Sequence, residues 1–145
     1  MFWQKCNSDQ FIIISSAFYS VHGMESIHIL SGTFNPLHEG HLAIFNRIDS
    51  QFKFFEIAVN NKDKNTSIDV LESCISQFID KKLPLIITSQ TTYWEKIELF
   101  TSLQLHPIFH MGIDTALRLL IDEGKLFVGN MMATFIVYDR NGLSL

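Results

Sequence analysis

The sequence predicts an α/β fold in which a doubly wound, five-stranded parallel sheet carries helices on both faces. Short apolar runs of strand length alternate along the chain with segments whose apolar residues recur at helical spacing. Such alternation is typical of βαβ units, whose right-handed crossovers place helices on both faces of a parallel sheet. Polar loops follow the strands, so we expect these loops at one edge of the sheet, where ligands bind in such folds.

The regular pattern begins at residue 27, so we divide the chain into an N-terminal extension of undefined structure (1–26) and a domain over 27–145. Apolar runs predict strands at 27–30, 54–59, 85–88, 107–111 and 133–138. Helical spacing predicts helices at 38–50, 68–81, 93–103 and about 115–122. The first helix takes its apolar face from Leu42, Ile44, Phe45 and Ile48, and the second from Ile68, Leu71, Ile75, Phe78 and Ile79.

Charge and apolar content exclude some classes of partner. The 145 residues are 47% hydrophobic and carry a formal net charge of −4, without a cluster of lysines and arginines. Proteins that bind nucleic acids usually show such a basic cluster, so we expect no nucleic acid as a partner. No apolar run approaches the ~18 residues of a membrane span, so no membrane partner is expected. A local site can still bind a small anion.

The two cysteines, Cys6 and Cys74, form no CxxC unit, and we expect both to be reduced in a cytoplasmic protein. A disulfide or a functional thiol is the alternative. The β-rich run 11–18 follows Lys5 and could belong to a short signal peptide. A β-strand, or the remnant of a preceding segment, fits its short apolar block better.

Residues 31–41, SGTFNPLHEGH, are the most informative segment, because the first strand passes there through a loop into a helix. Gly32 lets the backbone approach a ligand, and a helix N-terminus attracts phosphate. His38 and His41 lie on one face of the first turn, where both imidazoles can reach one anion. Gly40 removes a side chain between them. Fixed donors of this kind suit nucleotidyl transfer, in which charge grows on an attacked α-phosphate while pyrophosphate leaves.

Two readings without catalysis remain open for this segment. One is a helix start with two surface histidines. The other is a zinc site, although the histidines of HExxH sites are spaced i, i+4 and no third ligand is evident here.

Residues 32–41 resemble the T/G-x-x-x-P-x-H-x-G-H signature of the nucleotidyltransferase superfamily, which includes nicotinate- and nicotinamide-mononucleotide adenylyltransferases, phosphopantetheine adenylyltransferase and cytidylyltransferases. The resemblance extends over about 27–140 and implies a Rossmann-like fold. It implies that His38 and His41 are catalytic and hold the triphosphate of a nucleotide bound with Mg²⁺. We assign no residue of the chain as a metal ligand. It also implies nucleotide-binding roles for Gly32, Thr33, Phe34, Asn35 and Gly40.

Residues 112–118, GIDTALR, resemble the G-x-D-T-x-x-R element of one branch, the nicotinamide-nucleotide adenylyltransferase-like domains. The resemblance makes Gly112, Asp114 and Arg118 further nucleotide-binding candidates. A helix cap for Asp114 and a surface salt bridge for Arg118 are the alternatives.

Two weaker matches to that branch suggest residues that bind the acceptor. The loop 60–62 resembles its Asn-x-x-K element, so that Lys62 would meet an acceptor phosphate unless it is simply solvated. Thr88 and Lys96 partly match its T-x-x-x-x-x-x-K-A-x-L-F pattern. Trp94 could stack on an acceptor ring, or be a half-buried helix aromatic.

The superfamily's second signature, I-S-S-T-x-x-R/K, normally follows the fifth strand, and no Ser-Ser-Thr segment follows Tyr138. This departure predicts weak nucleotide binding and low turnover. The favoured function is adenylyl transfer from ATP to a small phosphorylated acceptor, with a pyridine mononucleotide, and hence NAD biosynthesis, as one candidate. A nucleotide-binding pseudoenzyme and a cytidylyltransferase acting on a phospho-alcohol are the alternatives. The sequence does not define the oligomeric state.

Overall fold

The computed structural model describes residues 2–6, 11–15, 25–59, 68–124 and 133–139. In these ranges the strands are β1 (Phe2–Cys6), β2 (Phe11–Ser15), β3 (Ser26–Ser31), β4 (Lys53–Ala58), β5 (Leu85–Thr88), β6 (His106–Gly112) and β7 (Thr134–Tyr138). The helices are α1 (Glu39–Arg47), α2 (Ile68–Asp80), α3 (Tyr93–Ser102) and α4 (Ile113–Asp122). The loop that carries Lys62 lies outside the described residues.

The strands form one sheet in the order β1-β2-β5-β4-β3-β6-β7. The last five strands in this order, β5, β4, β3, β6 and β7, are parallel to one another. Strand β3 lies at their centre, between β4 and β6. The predicted Rossmann-like parallel sheet is therefore confirmed. Two strands of the N-terminal extension continue this sheet, because β2 pairs antiparallel with β5 and β1 with β2. Periodicity marks the run 11–18 as β-rich, but it does not say which strand edge the run will pair with.

Each face of the sheet packs against two of the four helices in the described residues. Ile27 and Ile29 of β3 join a core with α3 and α4, whereas Leu30 joins a second core with α1 and α2. Neighbouring β4 follows the same alternation, since Phe54 lies in the first core and Phe55 in the second. Helices therefore cover both faces, as predicted from the alternation of strands and helices.

Two helix boundaries differ from the sequence prediction by more than one residue. Helix α1 ends at Arg47 rather than at residue 50, because Ile48 adopts an extended conformation while its side chain stays buried in the core. Helix α4 begins at Ile113, immediately after β6, rather than at residue 115. Gly112 is thus both the last residue of a strand and the N-cap of a helix. None of the helices in the described ranges is long and apolar enough to cross a bilayer.

Candidate active site

A cavity of about 980 Å³ opens at the carboxyl ends of the parallel strands. Its size lies at the upper end of the range for small-molecule sites, roughly 300–1,000 Å³. Its wall is formed by the loop after β3, the first turns of α1, α3 and α4, the end of β4 and the residue after β7. The site therefore lies where the sequence analysis expects it, at the edge that brings the strand ends together.

The imidazole ring of His38 caps the N-terminus of α1. His38 is the N-cap residue, and its Nδ1 accepts a hydrogen bond from the N–H of Gly40 at 3.1 Å. Its backbone N–H donates in turn to Nδ1 of His41 at 3.2 Å. The two imidazoles stack with their centroids 3.6 Å apart and their planes 21° apart. The two rings thus brace each other and the first turn of the helix.

These hydrogen bonds decide which nitrogen of each ring carries a proton. An imidazole nitrogen that accepts a hydrogen bond is unprotonated, so a ring that accepts at Nδ1 carries its proton on Nε2. His38 and His41 both accept at Nδ1 from a backbone N–H. Burial, together with the neighbouring His38, lowers the pKa of His41 to about 4. His41 is therefore neutral at pH 7 and still has an N–H to donate.

The ring of Phe34 packs against the histidine pair on its buried side. The ring is 1% exposed and meets the ring of His41 edge-on, with the centroids 4.8 Å apart. Phe55 and Phe78 pack against its other edges at 5.3 Å each. The backbone of Phe34 has a left-handed φ of 49°, which is strained for an aromatic residue. A Cβ at Gly32 would lie 3.0 Å from this ring, so Gly32 leaves it room.

The start of α4 forms the opposite wall of the cavity. Gly112 is the N-cap, and no side-chain hydrogen bond from the described residues caps this helix start. A Cβ built on Gly112 meets no atom of the described residues within 4 Å. Asp114 and Arg118 extend along the same wall. A helix start of this kind presents backbone N–H groups and a positive dipole end to the cavity.

A buried carboxylate lies at the cavity floor. Glu56 of β4 is 0% exposed, and it accepts from the hydroxyls of Ser31 at 2.5 Å and Thr88 at 2.7 Å and from Nζ of Lys96 at 2.9 Å. Burial, and next the charge of Glu56, raise the pKa of the adjacent Tyr93 to about 12. The phenol of Tyr93 therefore keeps its proton at pH 7.

Sequence reasoning missed Glu56, although a signal was present. It interrupts the apolar run of β4, and a charged residue inside a buried strand must find a partner. The partners come from β3, β5 and α3, which lie far away in the sequence. Their identity could therefore not be read from the pattern of β4.

One comparison with known protein families bears on this site. Residues 29–97 match the cytidylyltransferase-like family. The matched segment runs from β3 through the histidine pair to α3, and it includes the buried Glu56. The predicted resemblance to this superfamily is therefore confirmed. A search of curated protein sequences finds no significant match.

A solved structure has a similar fold. It is the crystal structure of a protein provisionally named nicotinate-nucleotide adenylyltransferase, from Vibrio parahaemolyticus. The similarity covers 80% of this chain and 74% of that chain, with a TM-score of 0.57 and 14% identical residues. At this identity the likeness shows the fold alone. The cytidylyltransferase-like match and the shared fold together support the interpretation that the chain is a nucleotidyltransferase.

Most of the residues predicted to act in a nucleotidyltransferase site do meet at the cavity. Those on its wall are Gly32, Thr33, Phe34, Asn35, His38, Gly40, His41, Lys96, Gly112, Asp114 and Arg118. The wall also includes Glu56, Tyr93 and Asp139, which sequence reasoning did not select. Whether each residue binds a ligand stays a prediction.

The predicted acceptor-binding residues are more scattered. Lys96 is 4% exposed, and its ammonium donates to Glu56 and to the carbonyl of Gln90, so its charge is already compensated. Thr88 is 3% exposed and its hydroxyl donates to Glu56 beneath the floor. Trp94 is 42% exposed, and its indole N–H donates to Glu98. Neither Thr88 nor Trp94 reaches the cavity wall.

The cytidylyltransferase-like resemblance also implies Mg²⁺. Among the residues that the structure describes, no three His, Cys, Asp or Glu side chains cluster closely enough to hold a metal ion. Nucleotide-bound Mg²⁺ keeps several waters and takes one or two carboxylates besides the phosphates. Asp114 and Asp139 both line the cavity. This donor set fits an ion that enters with the nucleotide.

Proposed function

We propose that the chain is a nucleotidyltransferase that transfers the adenylyl group of Mg²⁺-bound ATP to a small phosphorylated acceptor and releases pyrophosphate. The observation that carries this proposal is the stacked pair of His38 and His41 on the wall of the cavity. Both rings are fixed by backbone N–H groups at Nδ1, so both have an Nε2–H to donate to phosphoryl oxygens. A cytoplasmic location and a role in NAD biosynthesis stay predictions.

The nucleotide is proposed to bind between β3 and β6. The strand order reverses there, since the chain leaves β3 toward β4 on one side and later returns to β6 on the other. Ligands of doubly wound folds bind in the crevice at such a point. The starts of α1 and α4 flank it, and Arg118 adds a positive charge. These features support binding of the phosphate chain across the two helix starts.

The proposed reaction needs no protein nucleophile. An oxygen of the acceptor's phosphate attacks the α-phosphorus of ATP, the bond from this phosphorus to the bridging oxygen of the β-phosphate breaks, and pyrophosphate leaves. Negative charge grows on the phosphoryl oxygens during the attack. Donors already fixed in place stabilise that charge without reorganising. His38 and His41 supply such donors, and Phe34 below holds the ring of His41 in position.

The acceptor is proposed to bind on the side of β4 and β5. The polar floor there consists of Ser31, Glu56, Tyr93 and Lys96. Lys96 uses two of its three N–H bonds within the protein, which leaves the third for an acceptor oxygen. A pyridine mononucleotide is the first acceptor to test, because a nicotinate-nucleotide adenylyltransferase is the provisional name of the similar structure.

A second candidate is cytidylyl transfer, which the matching family's description favours. Both candidates use the same histidine pair and differ in the base. A pyrophosphate-release assay with ATP or CTP, Mg²⁺ and a panel of phosphorylated acceptors separates them. The panel includes nicotinate and nicotinamide mononucleotide, phosphopantetheine and phosphocholine. We expect release with ATP and a pyridine mononucleotide. Release with CTP alone would replace the adenylyl assignment, and no release with any pair would refute nucleotidyl transfer.

A further inference from the structure

A side chain outside the cavity holds the loop that precedes the histidine pair. Gln77 of α2 donates from Nε2 to the carbonyl of Phe34 at 2.8 Å, and its Oε1 accepts from the N–H of Leu37 at 2.7 Å. Nε2 also donates to the carbonyl of Cys74, one turn earlier on α2, at 3.2 Å. One amide thus joins both ends of the loop 34–37 to α2. Leu37 is directly followed by His38.

Resting on the proposed function, we propose that Gln77 is a positioning residue for nucleotidyl transfer, which fixes the two histidines through the loop 34–37. Gln77 does not line the cavity, so it acts on the reacting groups only through this loop. The loop matters at both ends, because Phe34 supports the ring of His41 and Leu37 leads into the N-cap residue His38.

Glutamine satisfies the hydrogen-bonding pattern at this position better than residues of similar size do. Two carbonyls require donors and one N–H requires an acceptor, and a single primary amide offers both kinds of group. A glutamate would accept from Leu37 but face the carbonyls of Phe34 and Cys74 with a charged oxygen. A methionine has a similar length but satisfies none of the three backbone groups.

The loop needs such a clamp because its backbone is strained. Phe34 holds a left-handed φ of 49°, a conformation that persists only when the surroundings fix it. Losing the amide therefore lets Phe34 relax and shifts the rings that rest on it. A displacement of about 1 Å at reacting groups can reduce a rate on the order of 10²-fold. Because the donors matter most as charge grows, kcat should fall more than affinity for the acceptor.

The test compares Gln77→Met and Gln77→Glu with the wild type in the pyrophosphate assay, at a temperature where circular dichroism shows the variants folded. The control is Ser76→Glu, which adds the charge of the second variant at the neighbouring, exposed position on α2. We expect kcat to fall about tenfold or more in both Gln77 variants, with the KM for the acceptor within twofold and the control unchanged. Unchanged kcat in either folded Gln77 variant would overturn the proposal.

A second measurement keeps this test independent of turnover. If the wild type transfers no nucleotide, the proposed function fails, and NMR titration of the His41 ring then decides whether Gln77 positions it. The pKa of His41 is about 4 in the packed arrangement. In Gln77→Met we expect it to rise by one unit or more toward 6.5, because the ring becomes more exposed. An unchanged value would overturn the positioning role.

Discussion

Gly40 leaves the space that the imidazole ring of His38 occupies. A Cβ at Gly40 would lie 2.9 Å from Cε1 and 3.1 Å from Nδ1 of His38. The sequence alone suggests that this glycine makes room for a ligand. The structure shows that its first effect is to let His38 fold back and cap its own helix.

We therefore expect Gly40→Ala to reduce transfer without unfolding the protein. Alanine favours a helix by roughly 0.5–1 kcal/mol over glycine, and loss of the cap hydrogen bond costs about as much, so stability should stay within about 1 kcal/mol. Transfer should fall at least roughly tenfold, because the ring of His38 must move. Paired denaturant unfolding and turnover measurements test this. Full activity would show that the ring's position does not matter.

Replacement of either histidine tests the proposed phosphate contacts directly. A hydrogen bond to a charged group contributes about 1.5–3 kcal/mol, so His38→Ala and His41→Ala should each lower kcat/KM by about tenfold to a hundredfold. His106→Ala is the matched control, since its ring pairs with Thr134 away from the cavity. If the His41 variant binds and turns over ATP within twofold of the wild type, His41 does not contact the phosphates.

Gly112 and Gly124 provide a matched pair of glycines. A Cβ on either would meet nothing within 4 Å, but only Gly112 lines the cavity. We expect Gly112→Ala to fold normally and to weaken nucleotide binding severalfold or more, because its methyl group projects where phosphate would approach. Gly124→Ala should change neither property. Calorimetric titration measures the affinities, and equal affinities for the two variants would remove Gly112 from the nucleotide site.

The buried ion pair between Glu56 and Lys96 should dominate stability on the acceptor side. Lys96→Met leaves Glu56 charged at 0% exposure, which should cost about 3–5 kcal/mol. The double variant Glu56→Gln/Lys96→Met should recover most of this loss, because no unpaired charge remains. Chemical denaturation of the wild type, the single variants Glu56→Gln and Lys96→Met, and the double variant measures the coupling. Additive losses would show that the pair is not a coupled unit.

Histidine titration should make the fold less stable as the solution becomes mildly acidic. Burial, and next the neighbouring His28, lower the pKa of His110 to about 4, and His41 has a similar value. Both folded values lie below the unfolded value of about 6.5. The stabilising effect is therefore complete above about pH 6.5 and is lost as the pH falls toward 4.

Between pH 7 and 5, before most carboxylates titrate, the free energy of unfolding should drop by roughly 2 kcal/mol through His110, and by less through the partly exposed His41. His28 and Tyr138 are hydrogen-bonded to the two ring nitrogens of His110 in the folded protein. Thermal unfolding across this range measures the loss. A stability that stays constant from pH 7 to 5 would contradict the pKa directions.

Local patterns in the sequence were enough to predict the parallel sheet and one wall of the site. Apolar spacing located the helices, and the short segment from Gly32 to His41 combines a strand end, a turn glycine and a helix start. Such features depend on neighbours in the chain, so they can be read from it. The antiparallel addition of β1 and β2 depends instead on a free edge at β5, which only the assembled sheet provides.

The features of the site that were not predicted all depend on hydrogen bonds between residues that are far apart in the sequence. Lys96 was selected as an acceptor-binding residue from a partial motif match, which does not indicate that its ammonium is paired with Glu56, 40 residues away. Thr88 was selected for the same reason and donates to the same carboxylate. Gln77 has no motif at all, because its role arises from where α2 crosses the loop 34–37.

Transfer of the α-phosphate itself is the most direct test of nucleotidyl transfer. ATP labelled at the α-phosphorus is incubated with the protein, Mg²⁺ and the acceptor selected by the panel. We expect the label to move into an acceptor–adenylate adduct, with one pyrophosphate released per adduct and at least a tenfold loss in His38→Ala and His41→Ala. Label that stays in ATP, or appears in ADP while the γ-phosphate moves, would contradict nucleotidyl transfer by this chain.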